Sequence, residues 1–397
     1  MNTDLFKTAL ILGLMGALGP FAIDMYLPAM PTITADLATT TSATQGTLMS
    51  FFVAFGLSQL FYGPASDVLG RKPPLYFGLG LFAVASIGCA LAPSIEWLIV
   101  LRFFQGVGAA AVMSIPRAVI RDRYTGAAAT RLMSTVMLVI SVAPMLAPMI
   151  GSAVIIPFGW RAVFIACALV TIVSVSAAKF GLPETLAPED RAPFKFSNMM
   201  RAFKTLFADP VFMGLTLIGG MGMASFFSFL SIASFLYTDY YGLNPFQFSL
   251  FFAVNALGFF STSQIAANLG NRFGSIAVVK WAVAGYATSA LLLLTFVLLG
   301  WDAFPLLVAM LALTFAFLGL VIPTSMVLAL EEHGPIAGTA ASLGGTLQMV
   351  LGAVAIAILS ALFNGTPVAL VAGIATCATI AVVLSVVTLK TVEPATA

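Results

Sequence analysis

Residues 43–93 read ATQGTLMSFFVAFGLSQLFYGPASDVLGRKPPLYFGLGLFAVASIGCALAP, two apolar runs flanking the charged hairpin Asp67-Val68-Leu69-Gly70-Arg71-Lys72. Each run has the roughly 20 residues that a helix rising about 1.5 Å per residue needs to cross a hydrocarbon layer about 30 Å thick. The same pattern extends outward along the whole chain. Twelve such runs fall roughly at 6–30, 43–63, 74–93, 97–121, 131–155, 161–181, 210–238, 245–267, 276–299, 303–329, 337–363 and 367–389. The 397 residues are 60% hydrophobic and only 8% charged, with a mean hydropathy of +1.07. A water-facing surface ordinarily needs about a quarter charged residues, so the bilayer is the solvent. Ten-residue alternation of a barrel strand is not seen. The fold class expected is an all-α membrane protein with twelve transmembrane helices.

The composition also excludes function classes. A net charge of +2 points to no nucleic-acid partner. Cys89, Cys167 and Cys377 fall inside apolar runs without metal or redox spacing, which makes them packing residues. His333 follows Glu331 and Glu332 in a short loop and reads as a surface residue. No metal or cofactor is expected. A membrane-embedded enzyme would need convergent nucleophiles, metal ligands or acid/base pairs, and a nucleotide-driven pump a G-x-x-x-x-G-K-[ST] loop; neither pattern occurs. Lys7 and the run behind it imitate a signal peptide, but Asp24, Pro28 and Pro31 follow without a small-residue cleavage site, so this is read as the first retained span.

Cations set the orientation. With a cytoplasmic N-terminus, Lys7, Arg71, Lys72, Arg117, Arg121, Arg123, Arg131, Lys179, Arg191, Lys195, Arg201, Lys204, Arg272, Lys280 and Lys390 all fall inward, and only Arg161 lies outside. Both termini are therefore expected in the cytoplasm. The longest polar stretch, 183–209, divides residues 1–182 from residues 210–397, six spans from six. Within it Phe196, Met199, Met200, Phe203, Leu206 and Phe207 recur at helical spacing opposite Lys195, Arg201, Lys204 and Thr205, which fits either a helix lying on the leaflet or a plain linker. The halves also echo each other: Asp67-Val68-Leu69-Gly70 returns as Asn271-Arg272-Phe273-Gly274, an offset of 204 residues (271 − 67). Two six-helix repeats around a site are a transporter architecture.

Three stretches carry chemistry. The loop Gly63-Pro64-Ala65-Ser66-Asp67-Val68-Leu69-Gly70-Arg71-Lys72-Pro73 has glycines for a tight turn. Its Asp67 can pair with Arg117 or Arg121, and its Arg71 with Asp122. The run Leu101-Arg102-Phe103-Phe104-Gln105-Gly106-Val107-Gly108-Ala109-Ala110 puts Arg102, Gln105, Gly106, Ala109 and Met113 on one helical face, where small residues admit another helix or a substrate. An intramembrane arginine costs about 2.5–3.5 kcal/mol and should face a cavity or a partner. Asp24, in Asp24-Met25-Tyr26-Leu27-Pro28-Ala29-Met30-Pro31, lies roughly 10 Å from the outer end of its helix, and Arg102 about 8 Å from the end of its own. The matching depths make Arg102 the natural partner of Asp24, with a helix-capping aspartate as the alternative.

The loop resembles the signature G-x-x-x-D-R-x-G-R-[KR] of the major facilitator superfamily, with Val68 in place of the family's arginine, and the second stretch resembles that family's fourth-helix motif R-x-x-Q-G-x-G-A-A. With the D-M-Y-L-P-A-M-P run and Tyr237-Thr238-Asp239-Tyr240-Tyr241-Gly242, the chain resembles the Bcr/CflA group of drug:proton antiporters. Pro144-Met145-Leu146-Ala147-Pro148-Met149-Ile150-Gly151 matches the antiporter motif G-P-x-x-G-G in part, Ala147 and Ile150 replacing glycines. The resemblance implies two six-helix pseudo-repeats in the major facilitator fold and a monomer in the bacterial inner membrane. It further implies proton-coupled export of small amphipathic compounds by alternating access, with protons, the solute and the lipid bilayer as partners. Asp24 and Arg102 would then couple protons. Tyr26, Gln105, Met113, Ser225, Ser228 and Asn255 would line the substrate cavity, and Gly63, Asp67, Gly70, Arg71, Lys72, Arg121 and Asp122 would form a conformational switch. At the repeat offset Asp24 corresponds to Ser228 and Arg102 to Leu306, so coupling charges are expected in the first half alone. A proton-coupled importer of a metabolite on the same fold is the competing expectation.

Overall fold

The structure, a computed structural model, describes residues 3–124, 126–191 and 196–392. Lys195, counted among the inward cations, lies outside them. The chain divides into two compact units, residues 1–195 and 196–397. The first carries α1 (Thr3–Asp24), α2 (Met30–Asp36), α3 (Thr41–Leu69), α4 (Lys72–Leu91), α5 (Ile95–Arg123), α6 (Gly126–Phe158) and α7 (Arg161–Gly181). The second carries α8 (Phe196–Ala208), α9 (Pro210–Phe235), α10 (Pro245–Phe273), α11 (Ser275–Leu298), α12 (Phe304–Glu331), α13 (Ala337–Leu362) and α14 (Pro367–Val392). Among the described residues no strand occurs and twelve segments are long and apolar enough to cross a membrane, as the hydropathy pattern requires.

Three spans depart from the expectation, the eighth in that α10 runs on to Phe273 instead of ending near 267. The second was placed at about 43–63, but α3 continues to Leu69, so Gly63 and Pro64 sit within the helix rather than in a turn. Ser66 Oγ donates to the Gly63 carbonyl at 2.8 Å just past the proline. The turn itself is confined to Gly70 and Arg71, with Gly70 at φ +93°, where an L side chain is strained. The first span is broken. α1 stops at Asp24, a 3₁₀ turn follows at Leu27–Ala29, and α2 carries the span on to Asp36. Pro28 has no N–H for the Asp24 carbonyl and Pro31 none for that of Leu27, so an α-helical ladder cannot run through.

Within the first unit α5 lies against α3 and α4, α4 against α7, and α1 against α6. The small residues of the fourth span serve this packing. A Cβ on Gly106 would stand 2.4 Å from the Phe51 carbonyl oxygen, and one on Gly108 only 2.6 Å from the Gly78 carbonyl oxygen. Only glycine lets those backbones meet. In the second unit α9 is the central helix, in contact with α12, α13 and α14, while α10 and α11 pack on α12. Phe226, Phe229, Phe252 and Phe315 join α9, α10 and α12 with ring centroids 4.9–5.9 Å apart.

The amphipathic stretch is a helix, α8, whose Ala202 and Leu206 are buried while Arg201, Lys204 and Thr205 are exposed. It packs on α9 and α13. Beside it His333 is not a free surface residue: its Nε2 lies 2.8 Å from Asp209 Oδ2 and its ring stands edge-on to Phe212. The other oxygen of Asp209 caps α9, accepting from the backbone N–H groups of Val211 and Phe212 at 2.8 and 3.2 Å.

Candidate functional site

The break after α1 decides the chemistry of the first unit. Carbonyls at a helix C-terminus need donors from elsewhere and attract positive charge. Arg102 supplies both: its Nη1 donates to the Ala22 carbonyl at 3.0 Å. The side chain is fully buried, with the guanidinium carbon 4.5 Å from the Phe51 ring centroid, 4.7 Å from that of Tyr26 and 6.0 Å from that of Phe164. Each desolvated ring face is worth up to about 2 kcal/mol to the cation, enough to offset the cost of taking arginine into a span. Nη1 also donates to Gln105 Oε1 at 2.6 Å, and Gln105 Nε2 donates to Ser86 Oγ at 2.8 Å. Nε and Nη2 find no hydrogen-bond partner among the described residues.

Matching depths in the two helices predict that Arg102 pairs with Asp24. It does not. Among the described residues no ion pair joins them, and the guanidinium lies instead against the rings of Phe51, Tyr26 and Phe164. The reason is the break. It leaves a backbone carbonyl two residues before Asp24 in need of a donor, and Arg102 takes that oxygen. Asp24 itself is 4% exposed, in the first residue position that Pro28 deprives of a helical hydrogen bond. Tyr26 follows it, fully buried, its hydroxyl 2.7 Å from Thr47 Oγ1.

Of the other cavity candidates, Gln105 has both amide atoms engaged and therefore holds Arg102 in place. Met113 is half-buried, about three turns from Arg102 along the same face of α5. In the second unit Ser225 is bonded to the Tyr286 hydroxyl, Ser228 donates to the Ala224 carbonyl at 2.6 Å, and Asn255 Nδ2 donates to the Tyr237 hydroxyl at 3.0 Å. These residues are all buried and lie in three separate networks.

The charged loop closes a different network. Arg71, 4% exposed, donates through Nη1 to Asp67 at 2.5 Å and through Nε to Asp122 at 2.7 Å. The Arg71–Asp122 pair was expected; Asp67 turns to Arg71 rather than to Arg117 or Arg121, because one helical turn separates them at the end of α3. Arg121 is exposed. Lys72 contributes its backbone: its N–H donates to Glu184 Oε2 at 3.1 Å.

Glu184 is the residue that sequence reasoning missed. Its carboxylate accepts from the backbone N–H groups of Arg71, Thr185 and Leu186 at 2.9, 2.9 and 3.2 Å as well as that of Lys72. Partial burial pushes its proton affinity up, but the four N–H donors outweigh that and hold the carboxyl below the usual glutamate range. A Cβ on Gly70 would lie 2.9 Å from this carboxylate and from Arg191 Nη2, a second reason for glycine there. A signal existed: α4 opens with Lys72-Pro73-Pro74 and no capping side chain of its own, so its free N–H groups need an acceptor from elsewhere.

The sequence profile described as Major Facilitator Superfamily matches residues 12–357. The Bicyclomycin resistance protein homolog of Haemophilus influenzae is 30% identical over 352 residues, 88% of this chain and 87% of that protein. The Chloramphenicol resistance protein of Pseudomonas aeruginosa is 34% identical over 291 residues, 73% of this chain and 68% of that one. The solved structure of the xylose transporter XylE from E. coli superposes with a TM-score of 0.73 at 13% identity, covering 98% of both chains, a likeness of fold alone.

Proposed function

We propose that this chain, which belongs to the Major Facilitator Superfamily and within it to the Bcr/CflA group, exports small amphipathic compounds in exchange for protons. It is a multi-pass membrane protein of a transporter family, not an enzyme. The reading places it in a bacterial inner membrane as a monomer with both termini in the cytoplasm, the side to which nearly all cations fall. Relatives named for bicyclomycin and chloramphenicol resistance support that solute class.

One observation carries the coupling: Asp24 is buried at a helix break with no cation paired to it among the described residues, while the nearby permanent charge of Arg102 is committed to the Ala22 carbonyl. An unpaired buried carboxyl is satisfied by a proton or by a solute donor, and not by both together. Solute leaving on one side and a proton arriving there become alternatives at a single group. Arg102 keeps the break open and adds a fixed positive field that opposes a second cation. Alternating access then carries one occupant outward and the other inward. Each proton moved down the membrane potential supplies about 2.3 kcal/mol per 100 mV.

The test is susceptibility of an efflux-deficient bacterium expressing the chain, to chloramphenicol and bicyclomycin, with and without a protonophore. The expected result is a severalfold rise in inhibitory concentration that the protonophore and Asp24→Asn each abolish. Protection that survives the protonophore, or gradient-driven accumulation of the compounds inside, overturns the reading.

A further inference from the structure

The second unit holds a group of buried polar side chains that the scheme above does not use. Thr216 on α9, Thr324 on α12 and Gln348 on α13 are each at least nine-tenths buried. Thr216 Oγ1, Thr324 Oγ1 and Gln348 Nε2 meet no hydrogen-bond partner among the described residues. This is unlike the neighbouring buried hydroxyls: those of Ser228, Thr314 and Ser325 donate to carbonyls of their own helices at 2.6, 2.7 and 2.7 Å, the usual solution inside a span.

Glycines show that Gln348 converges with Ser325, with Thr216 one turn away on α9. A Cβ on Gly219 of α9 would lie 2.8 Å from Gln348 Nε2 and 3.0 Å from Ser325 Oγ, so an amide, a hydroxyl and bare backbone from three helices surround one point. One turn away a Cβ on Gly344 would lie 3.8 Å from Thr216 Oγ1 and 3.2 Å from the Met326 methyl. Thr216 and Gly219 share a face of α9, as Gly344 and Gln348 share one of α13. Counted from Pro210 and from Glu331, Thr216 and Ser325 each lie about 9 Å inside the ends of their helices. No charged side chain belongs to the group.

We propose that α9, α12 and α13 form a hydrogen-bonding subsite for a neutral hydroxyl or amide group of the transported solute. This rests on the efflux reading above and adds to it a specificity for uncharged polar groups. Gln348 donates through Nε2, Ser325 accepts through the lone pairs that its helix leaves free, and Thr216 does either. The bare Cα of Gly219 lets the Gln348 amide lie against the backbone of α9. Buried groups left without partners gain most from a ligand that supplies them, and discriminate against one that does not.

The experiment uses the full-length protein in lipid nanodiscs and two probes: chloramphenicol, which carries hydroxyl and amide groups, and tetraphenylphosphonium, a lipophilic cation with no hydrogen-bonding group. Gln348→Met and Thr216→Val keep the volume and remove the polar group; Gly219→Ala pushes the Gln348 amide out of its place. The expected result is chloramphenicol binding weakened about tenfold by each variant, tetraphenylphosphonium binding unchanged, and a thermal midpoint for Gln348→Met at or above that of the parent, since no native bond is lost. Equal weakening of both probes, no weakening of either, or a lowered midpoint overturns the subsite. A parent protein that binds both probes while Gln348→Met behaves identically defeats the subsite alone. A parent that binds neither defeats the efflux reading and the subsite with it.

Discussion

The two units solve the same span differently. In the first, the opening helix breaks at Asp24 and an arginine from α5 closes the exposed carbonyl end. In the second, α9 runs unbroken to Phe235 and ends in a π-helical turn, Leu236–Tyr240. At the offset of 204 residues that relates Asp67 to Asn271, Asp24 becomes Ser228 and Arg102 becomes Leu306. Ser228 spends its hydroxyl on its own helix, and no buried arginine occurs among the described residues of the second unit. The charged loops differ in the same sense. Arg71 ties two aspartates, whereas Arg272 lies over the ring of its neighbour Phe273, 5.1 Å from the centroid. The difference teaches that a duplicated scaffold can hold a charge-handling half and a neutral half, which is the division the proposed exchange requires.

Four substitutions in the first unit, three of them set against counterparts in the second, sharpen or break this contrast. Arg102→Met should have the largest effect: it uncaps Ala22 and removes the fixed charge, and transport should fall by about a hundredfold, the loss expected of about 3 kcal/mol. Leu306→Ala, its counterpart, should stay within about threefold in the same vesicle efflux assay. Equal losses would erase the asymmetry. Next comes Arg71→Met, which frees Asp67 and Asp122 at once; efflux should drop about tenfold, with Arg272→Met near the parent rate.

Glu184→Gln should act through pH. A carboxyl held below its usual range contributes stability above the ordinary glutamate value and loses it as pH falls through the lowered one. The thermal midpoint of the parent should therefore exceed that of the variant near neutrality, and the gap should narrow below the ordinary glutamate value and close once pH is below the lowered one. A constant gap would show that the carboxylate charge is not what holds Arg71 and Lys72. The smallest effect belongs to Thr47→Val, which takes one buried partner from Tyr26: a cost of about 1 kcal/mol, read as a shift of a few degrees in midpoint. Efflux should decline with it, whereas Ser225→Ala in the second unit should shift the midpoint and spare the rate.

How much of this was legible follows from what a sequence encodes by side chain. Twelve spans, their order and the loop at Gly70 could be read, because apolar length and glycine are properties of the letters themselves. Arg71 with Asp122 was within reach, since opposite charges near two helix ends have few other partners. The break at Asp24 was foreshadowed by Pro28 and Pro31, yet its consequence was not: the group that captures Arg102 is a backbone carbonyl, which no letter marks. Glu184 went unseen for the same reason, its partners being four N–H groups. Thr216 and Gln348 stand 132 residues apart (348 − 216), on two helices that pack together at Gly219 and Gly344.

The central claim is that one carboxyl in the first unit is shared between proton and solute. Its most direct measurement is proton release from purified protein in weakly buffered nanodiscs on addition of chloramphenicol. The parent and Ser228→Ala should each release protons in step with solute bound, and Asp24→Asn should bind solute and release none. Undiminished release from Asp24→Asn would contradict the account.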